Sequence, residues 1–237
     1  MNLVALGNSL EAKEAYARFC LRHHDYDKAY ALYTQLLREE ATFDRQLLVT
    51  LFLLQRERTS EAIDSLLRLE EEDLNPAQKV SVHHLLCYAY KRADQQKKSE
   101  KHLGLAEKYY LFQSNPNMRI NQVHNPYVEP TPRVPKPDKF VSQLSLGQSQ
   151  EIKEQLLGLF LEHDFTALAQ DYLPQVPDSK NRSLLAAKTQ LGQREYSEAL
   201  DTVEGLLDKD PRMNSYSPSK QPSASSLNAF LNVKKSF

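Results

Sequence analysis

Residues 24–37, HDYDKAYALYTQLL, have the pattern of one amphipathic helix. Asp25 and Asp27 stand at its start, where carboxylates accept hydrogen bonds from free backbone N–H groups and oppose the helix dipole. The apolar residues then recur at helical spacing along one stripe: Tyr26, Ala29, Tyr33, Leu36 and Leu37. Ala29 is small, which lets another helix pass close by. The stretch therefore predicts the second helix of an antiparallel hairpin.

The same pattern recurs along the chain. Ala62, Ser99 and Ala199 correspond to Ala29, and a weaker fourth copy places Leu168 in that position. The separations are 33 residues from Ala29 to Ala62, 37 from Ala62 to Ser99 and 31 from Leu168 to Ala199. A first helix is predicted before four of the copies. Its packing positions hold Tyr16, Ala17 and Cys20 in the first unit, Val49, Thr50 and Leu53 in the second, Leu86, Cys87 and Tyr90 in the third, and Ala186, Ala187 and Gln190 in the fifth.

These spacings and packing positions resemble the tetratricopeptide repeat (TPR) or TPR-like family, whose period is about 34 residues, over 10–112 and 149–211. The chain departs from the family pattern because it has no Trp, its small first-helix position is never Gly, and its fourth unit is out of register. The resemblance implies an all-α solenoid of antiparallel helical hairpins. A non-repetitive helical bundle with accidental periodicity is the alternative.

Composition divides the chain into four segments. Three TPR-like hairpins are predicted in 1–112 and two more in 148–211. Between them, 113–147 contains half of the chain's twelve prolines, which prevent a continuous helix and favour extended chain. We interpret this segment as a linker or as a strap packed on the helices, and its P-R-V-P sequence also fits the ligands of polyproline-binding domains. Because two hairpins make a small core, we expect the second pair to lean on the first block or on a partner.

The last segment, 212–237, is rich in serine and predicts a disordered tail. A short apolar motif near its end contains Leu227, Phe230 and Leu231. Such a motif is typical of a tail that folds as a short helix in a partner's groove. A frayed terminus is the alternative.

Charge and composition argue against several functional classes. The net charge is −1, which gives no general attraction to nucleic acid or to an anionic membrane. The longest apolar run, 47–54, is too short to cross a bilayer, and the first residues lack the basic lead of a signal peptide. Cys20 and Cys87 are predicted to be buried, reduced thiols. We therefore expect a cytoplasmic or nuclear protein.

No sequence motif typical of a catalytic or cofactor site is present. The run 23–27 carries metal-capable groups, but its adjacent histidines point in different directions on a helix and further ligands are missing. His83 and His84 have the same difficulty. We therefore predict a protein that is not an enzyme and has no cofactor, no metal and no small-molecule substrate.

In TPR proteins the first helices of successive repeats line a concave groove. By resemblance, the residues of this predicted groove are Glu14, Arg18, Leu47, Leu51, Leu54, His84, Tyr88 and Lys91. The groove is apolar in its middle and charged at its edges, which suits an amphipathic helix or an extended peptide with apolar anchors. It lacks the Lys and Asn set with which TPR co-chaperones hold acidic tails. Burial of the three leucines, for instance beneath a strap at 113–147, is the alternative.

We expect a protein–protein interaction adaptor, or a subunit of a multiprotein assembly, that binds a protein or peptide partner in the predicted groove. A dedicated chaperone for an aggregation-prone client is the alternative. RNA binding through the basic run 91–101 is less favoured, because Asp94 and Glu100 lie inside it and no aromatic residues are interleaved.

Overall fold

A computed structural model of the chain describes residues 9–114, the first block, and 146–209, the second block. These residues are 83% helical and contain no strand. Within them, ten helices pack in neighbouring pairs, so the fold is all-α and compatible with a helical repeat. Residues 115–145 of the proline-rich segment and the whole serine-rich tail, 212–237, lie outside the described residues.

The helices alternate with short turns. The first block contains α1 Leu10–Arg22, α2 Tyr26–Glu39, α3 Phe43–Gln55, α4 Thr59–Glu70, α5 Pro76–Arg92 and α6 Gln96–Ser114. The second block contains α7 Leu146–Glu162, α8 Thr166–Tyr172, α9 Lys180–Gly192 and α10 Tyr196–Lys209, and a single 3-10 turn, Leu173–Gln175, follows α8.

Several helices begin where the sequence places a capping residue. The side chain of Ser9 accepts a hydrogen bond from the backbone N–H three residues on at 3.2 Å, and Asp25 does the same at 3.3 Å. Asn75 and Gln78 form a reciprocal capping box before α5, with Pro76 in the first turn. The predicted helix start at Asp25 is confirmed.

All five hairpins turn through the same backbone conformation. One residue in each turn has a positive φ: His24 (59°), Glu57 (59°), Asp94 (56°), Asp164 (58°) and Arg194 (67°). The N–H of the following residue donates to a carbonyl five positions back, for example at 2.9 Å from Asp25 to Cys20. This is a Schellman helix end, at which glycine is usual. Because a left-handed non-glycine residue costs about 1 kcal/mol, hairpin packing must offset that cost at each turn.

The turns give the register of the repeat directly. The fifth residue after each positive-φ residue is small and buried: Ala29, Ala62, Ser99, Ala169 and Ala199. The seventh residue before each positive-φ residue lies on the first helix and faces the inside of the hairpin: Ala17, Thr50, Cys87, Leu157 and Ala187. The small side chain on the second helix lets the two helices of each hairpin approach closely, and in four of the five hairpins it faces an Ala, Thr or Cys on the first helix.

The fourth hairpin is in register, and the predicted register was wrong by one residue. Ala169, and not Leu168, lies five positions beyond Asp164. The separation from Ala169 to Ala199 is therefore 30 residues. The cause is the shortness of α8, which has only seven residues and is ended by Pro174, so its apolar stripe is too brief to fix a phase.

One buried cluster joins the two blocks. It contains Phe52 and neighbouring leucines of α3 together with Phe160, Phe165 and Leu168 from the α7–α8 hairpin. Helix α7 packs on α5, α6 and α9, whereas α8 packs on α3 and α9. The second block therefore does lean on the first, as its small size led us to expect.

The two cysteines are free thiols. Cys20 is buried in the core, and Cys87 is half-buried with its Sγ 3.3 Å from Oγ of Ser99. Burial raises the pKa of the Cys87 thiol. The predicted burial is therefore confirmed for Cys20, whereas Cys87 is only partly buried.

The two glycines of the last hairpin lead to opposite predictions. A methyl group added at Gly192 would overlap Cγ2 of Thr166, so Gly192→Ala should lower the free energy of unfolding by about 1–3 kcal/mol. A methyl group at Gly205 meets no atom within 4 Å, so Gly205→Ala should raise it by up to about 1 kcal/mol through helix propensity. Urea unfolding followed by circular dichroism measures both values.

The control for the overlap is Thr166→Ser, which removes the obstructing methyl group. It should restore most of the stability that Gly192→Ala loses. Equal effects of the alanine substitutions at Gly192 and Gly205 would contradict the close approach of α8 and α9.

Candidate functional site

The structure places the middle of the predicted groove inside the protein. Five of its residues are at most 3% exposed: Leu47, Leu51, Leu54, His84 and Tyr88. They lie on α3 and α5 and share one buried cluster with residues of α7 and α8, which cover part of this surface. The burial proposed as the alternative for the three leucines is therefore observed.

Phe165, the residue before α8, is one anchor of this cover. Its ring is fully buried and packs edge-on against Phe52 of α3, with the ring centroids 4.9 Å apart. It also stacks on Tyr26 at 6.3 Å, and the hydroxyl of Tyr26 donates to the carbonyl of Asp164 at 3.2 Å. The turn of the fourth hairpin is thus fixed to the first two hairpins.

Tyr172, at the end of α8, is the second anchor. Its ring packs edge-on against Tyr88 and Phe160, with centroid distances of 5.6 and 6.0 Å. Its hydroxyl forms a 2.8 Å hydrogen bond with Nε2 of His84, and the Tyr88 hydroxyl donates to Oδ2 of Asp171 at 2.6 Å. Both polar groups of the buried face therefore have partners on α8, which removes the penalty of burying them alone.

Burial governs the ionisation of these groups. It lowers the pKa of His84 to about 3, and the nearby charge of Lys153 acts in the same direction. Burial also raises the pKa values of Tyr88 and Tyr172 well above the ordinary range. All three side chains are therefore neutral near pH 7 and serve as hydrogen-bonding and packing groups.

The charged residues of the predicted groove lie at its edges. Nζ of Lys91 donates to Oε1 of Gln175 at 2.8 Å, which ties α5 to the end of α8. Glu14 accepts from Arg18 at 2.6 Å and from Arg45 at 2.9 Å, and the bond from Arg45 holds the pKa of Glu14 below its usual range. Glu14 therefore connects α1 to α3.

A second cluster, which was not predicted from the sequence, lies between α4, α5 and α6. Nδ1 of His83 is 3.2 Å from Nδ1 of His102 and 3.9 Å from Oε1 of Glu70. Tyr109 stacks on His83 and Tyr90 stacks on His102, each with centroids 5.3 Å apart. Burial lowers the pKa of His83 to about 3 and that of His102 to about 4. We call Glu70, His83 and His102 the His–His–Glu cluster.

A signal for the histidine pair was present in the sequence. His83 lies eleven residues before the turn residue Asp94 and His102 eight residues after it. Antiparallel helices of one hairpin bring such positions side by side. His102 comes directly after the basic run 91–101, but its side chain is buried, whereas the lysines at 97, 98 and 101 are exposed.

The run 23–27 does not form a comparable group. His23 is exposed, and Nδ1 of His24 is 2.9 Å from the hydroxyl of Tyr26. Among the described residues, the His–His–Glu cluster is the group whose ligand atoms all lie within 4.8 Å of one another. The tail motif of Leu227, Phe230 and Leu231 lies outside the described residues.

Comparison with known protein families and with curated protein sequences finds no match to this chain. The TPR resemblance therefore depends on the residues and turn geometry of the chain itself. Between 9 and 114 and between 146 and 209, no helix combines the length and apolar character needed to span a bilayer.

The buried His84 predicts a loss of stability in mild acid. The unfolded chain takes up a proton near pH 6.5, whereas the native side chain resists protonation down to about pH 3. The stability that depends on neutral His84 is therefore complete above pH 6.5 and falls as the pH decreases towards 3. The slope is at most about 1.4 kcal/mol per pH unit for one histidine.

Urea unfolding between pH 7 and pH 5 checks this prediction. His84→Leu should show a smaller decrease in the free energy of unfolding over that interval than the wild type. His23→Leu, at an exposed position, should leave the decrease unchanged. Identical pH slopes for the wild type and His84→Leu would contradict the account.

Proposed function

We propose that the chain is a TPR-like α-solenoid and acts as a non-enzymatic protein–protein interaction adaptor or assembly subunit. Its helix-binding surface is the face formed by α1, α3 and α5, which we call the receptor face. Five hairpins with the same turn and the same buried small residue support the repeat assignment. The packing of α8 on this face supports the binding role.

The single observation that carries the proposal is the way α8 is held. Phe165 and Tyr172 lie seven residues apart, which places them on one side of two helical turns. Phe165 packs on Phe52, while Tyr172 and Asp171 bond with the α5 side chains. The receptor face therefore accommodates a short helix with two aromatic anchors and one carboxylate.

A partner helix with the same spacing of aromatic anchors would make the same contacts. Lys91 and Arg92 stand at this edge of the face and suit a partner with a carboxylate near its second anchor. Such a partner competes with α8, so partner affinity is reduced by the free energy that holds α8 in place. The second block would then act as an internal competitor.

A binding role is favoured over catalysis by the state of the titratable groups. The strongest pKa shifts at the receptor face come from burial between packed helices, and the hydroxyl groups of Tyr88 and Tyr172 are engaged within the chain. Neutral groups that are hydrogen-bonded in this way fix the position of α8 on the receptor face. They are not arranged to exchange protons with a substrate.

A peptide with the sequence of residues 162–176 tests the proposal. The labelled peptide should bind the Phe165→Ala/Tyr172→Ala variant at least about tenfold more tightly than the wild type, because the variant's own α8 is loosened. Fluorescence anisotropy measures both affinities. A peptide lacking the same two aromatic side chains should bind neither protein.

Two further variants test whether a change in peptide affinity is caused by unfolding of the protein. Asp171→Ala changes an exposed residue and should increase peptide affinity to a smaller degree. Tyr196→Ala, on an exposed tyrosine, should have no effect. The proposal fails if the peptide binds the wild type, Phe165→Ala/Tyr172→Ala and Asp171→Ala with equal affinity while all three proteins show native circular dichroism. That result would show that the receptor face does not bind helices.

A further inference from the structure

The His–His–Glu cluster draws one side chain from each of three consecutive helices. Glu70 is the last residue of α4, His83 lies in α5 and His102 lies in α6. The side chains of both histidines are buried, while the carboxylate of Glu70 is about one-third exposed. Nitrogen and oxygen ligands thus converge at one point, with access from the Glu70 side.

The two histidine nitrogens have the separation that a metal requires. A tetrahedral Zn²⁺ ion with bonds of about 2.0–2.1 Å places its ligand atoms about 3.3 Å apart. The Nδ1 atoms of His83 and His102 are 3.2 Å apart. Oε1 of Glu70 is 3.9 Å from Nδ1 of His83, so a small rotation of this partly exposed side chain completes a three-ligand arrangement.

The surroundings hold the two imidazole rings in place before any ion arrives. Tyr109 stacks parallel on His83, with only 2° between the ring planes, and Tyr90 stacks on His102. Side chains fixed in this manner lose little conformational entropy when they bind a ligand. Without a metal, the Nδ1–H of one ring donates a hydrogen bond to the unprotonated Nδ1 of the other across the 3.2 Å contact.

We propose that Glu70, His83 and His102 form a zinc-binding site that joins α4, α5 and α6. Two imidazoles and one carboxylate suit Zn²⁺, whereas Mg²⁺ and Ca²⁺ prefer ligand sets made of oxygen. On binding, the ring that carried the Nδ1 proton holds it on Nε2 instead, so both Nδ1 lone pairs face the ion and no net proton is released. A fourth position remains for water or for an added ligand.

The lysines near the cluster predict in which direction the metal affinity changes when a positive charge is removed. Lys101 acts electrostatically on all three residues of the cluster, and Lys79 acts on His83. Both positive charges repel a cation. Because Lys101 is exposed, Lys101→Gln should leave the fold intact and tighten metal binding by roughly twofold to fivefold. A cluster that serves packing alone has no reason to show this gain.

The test uses the full-length chain stripped of metal with EDTA. Co²⁺ should bind in a one-to-one ratio and give the intense visible absorption of a tetrahedral complex, and Zn²⁺ should displace it. Glu70→Gln should weaken Zn²⁺ binding at least about tenfold, and His102→Gln should abolish the tetrahedral spectrum. Zn²⁺ should also raise the midpoint of thermal unfolding of the wild type more than that of Glu70→Gln.

His23→Gln is the matched control, because His23 belongs to the exposed run 23–27. It should leave the Co²⁺ spectrum and the Zn²⁺ affinity unchanged. Loss of binding in this control, or unchanged binding in Glu70→Gln, would overturn the proposal. Absence of a tetrahedral Co²⁺ spectrum in the wild type would overturn it as well.

Discussion

The apolar surface of α3 is the constraint on which the rest of the structure depends. Leu47, Leu51 and Leu54 are at most 3% exposed, and Phe52 is fully buried on another side of the same helix. Leaving the three leucines in water would cost about 6 kcal/mol, which is comparable to the whole stability of a typical domain. The second block supplies part of the cover of α3, because Phe165 at the start of α8 packs against Phe52. Hairpins that are separated by 31 undescribed residues, 115–145, thereby share one core.

The contact between the blocks is specific as well as apolar. Four polar groups meet in the hydrogen bonds of Tyr172 with His84 and of Tyr88 with Asp171. Burying His84, Tyr88 or Tyr172 without its partner would cost about 1–3 kcal/mol, so the bonds select one placement of α8 over others with similar apolar contact. The same low-dielectric setting keeps His84 neutral, which connects the packing of the two blocks to acid sensitivity.

Local structure could be predicted from the sequence, whereas the long-range contacts could not. Ser9, Asp25 and Asn75 mark helix starts by their own hydrogen bonds, so their effect is readable without the fold. The phase of the short α8 was misjudged by one residue at Leu168, because seven residues are too few to define a helical stripe. Leu47, Leu51 and Leu54 recur at helical spacing along α3, but no local signal reveals which element lies across that face.

The His–His–Glu cluster shows a similar limit. His102 directly follows an exposed basic run, and only the antiparallel geometry of α5 and α6 brings it to His83. Glu70 enters from a third helix, 13 residues before His83, at a spacing that fits no short metal motif. Sites assembled from successive hairpins are thus visible once the register of the turns is known, because the turn residues fix which positions face each other.

The central claim is that α8 binds the receptor face strongly enough to hold the two blocks together. The most direct measurement inserts a specific protease site into 113–147, cleaves the purified protein and follows the fragments by size-exclusion chromatography. The account predicts that the two wild-type fragments elute as one complex, and that Phe165→Ala/Tyr172→Ala separates them. Elution of the wild-type fragments as two separate peaks, at the same protein concentration as the uncleaved control, would contradict the account.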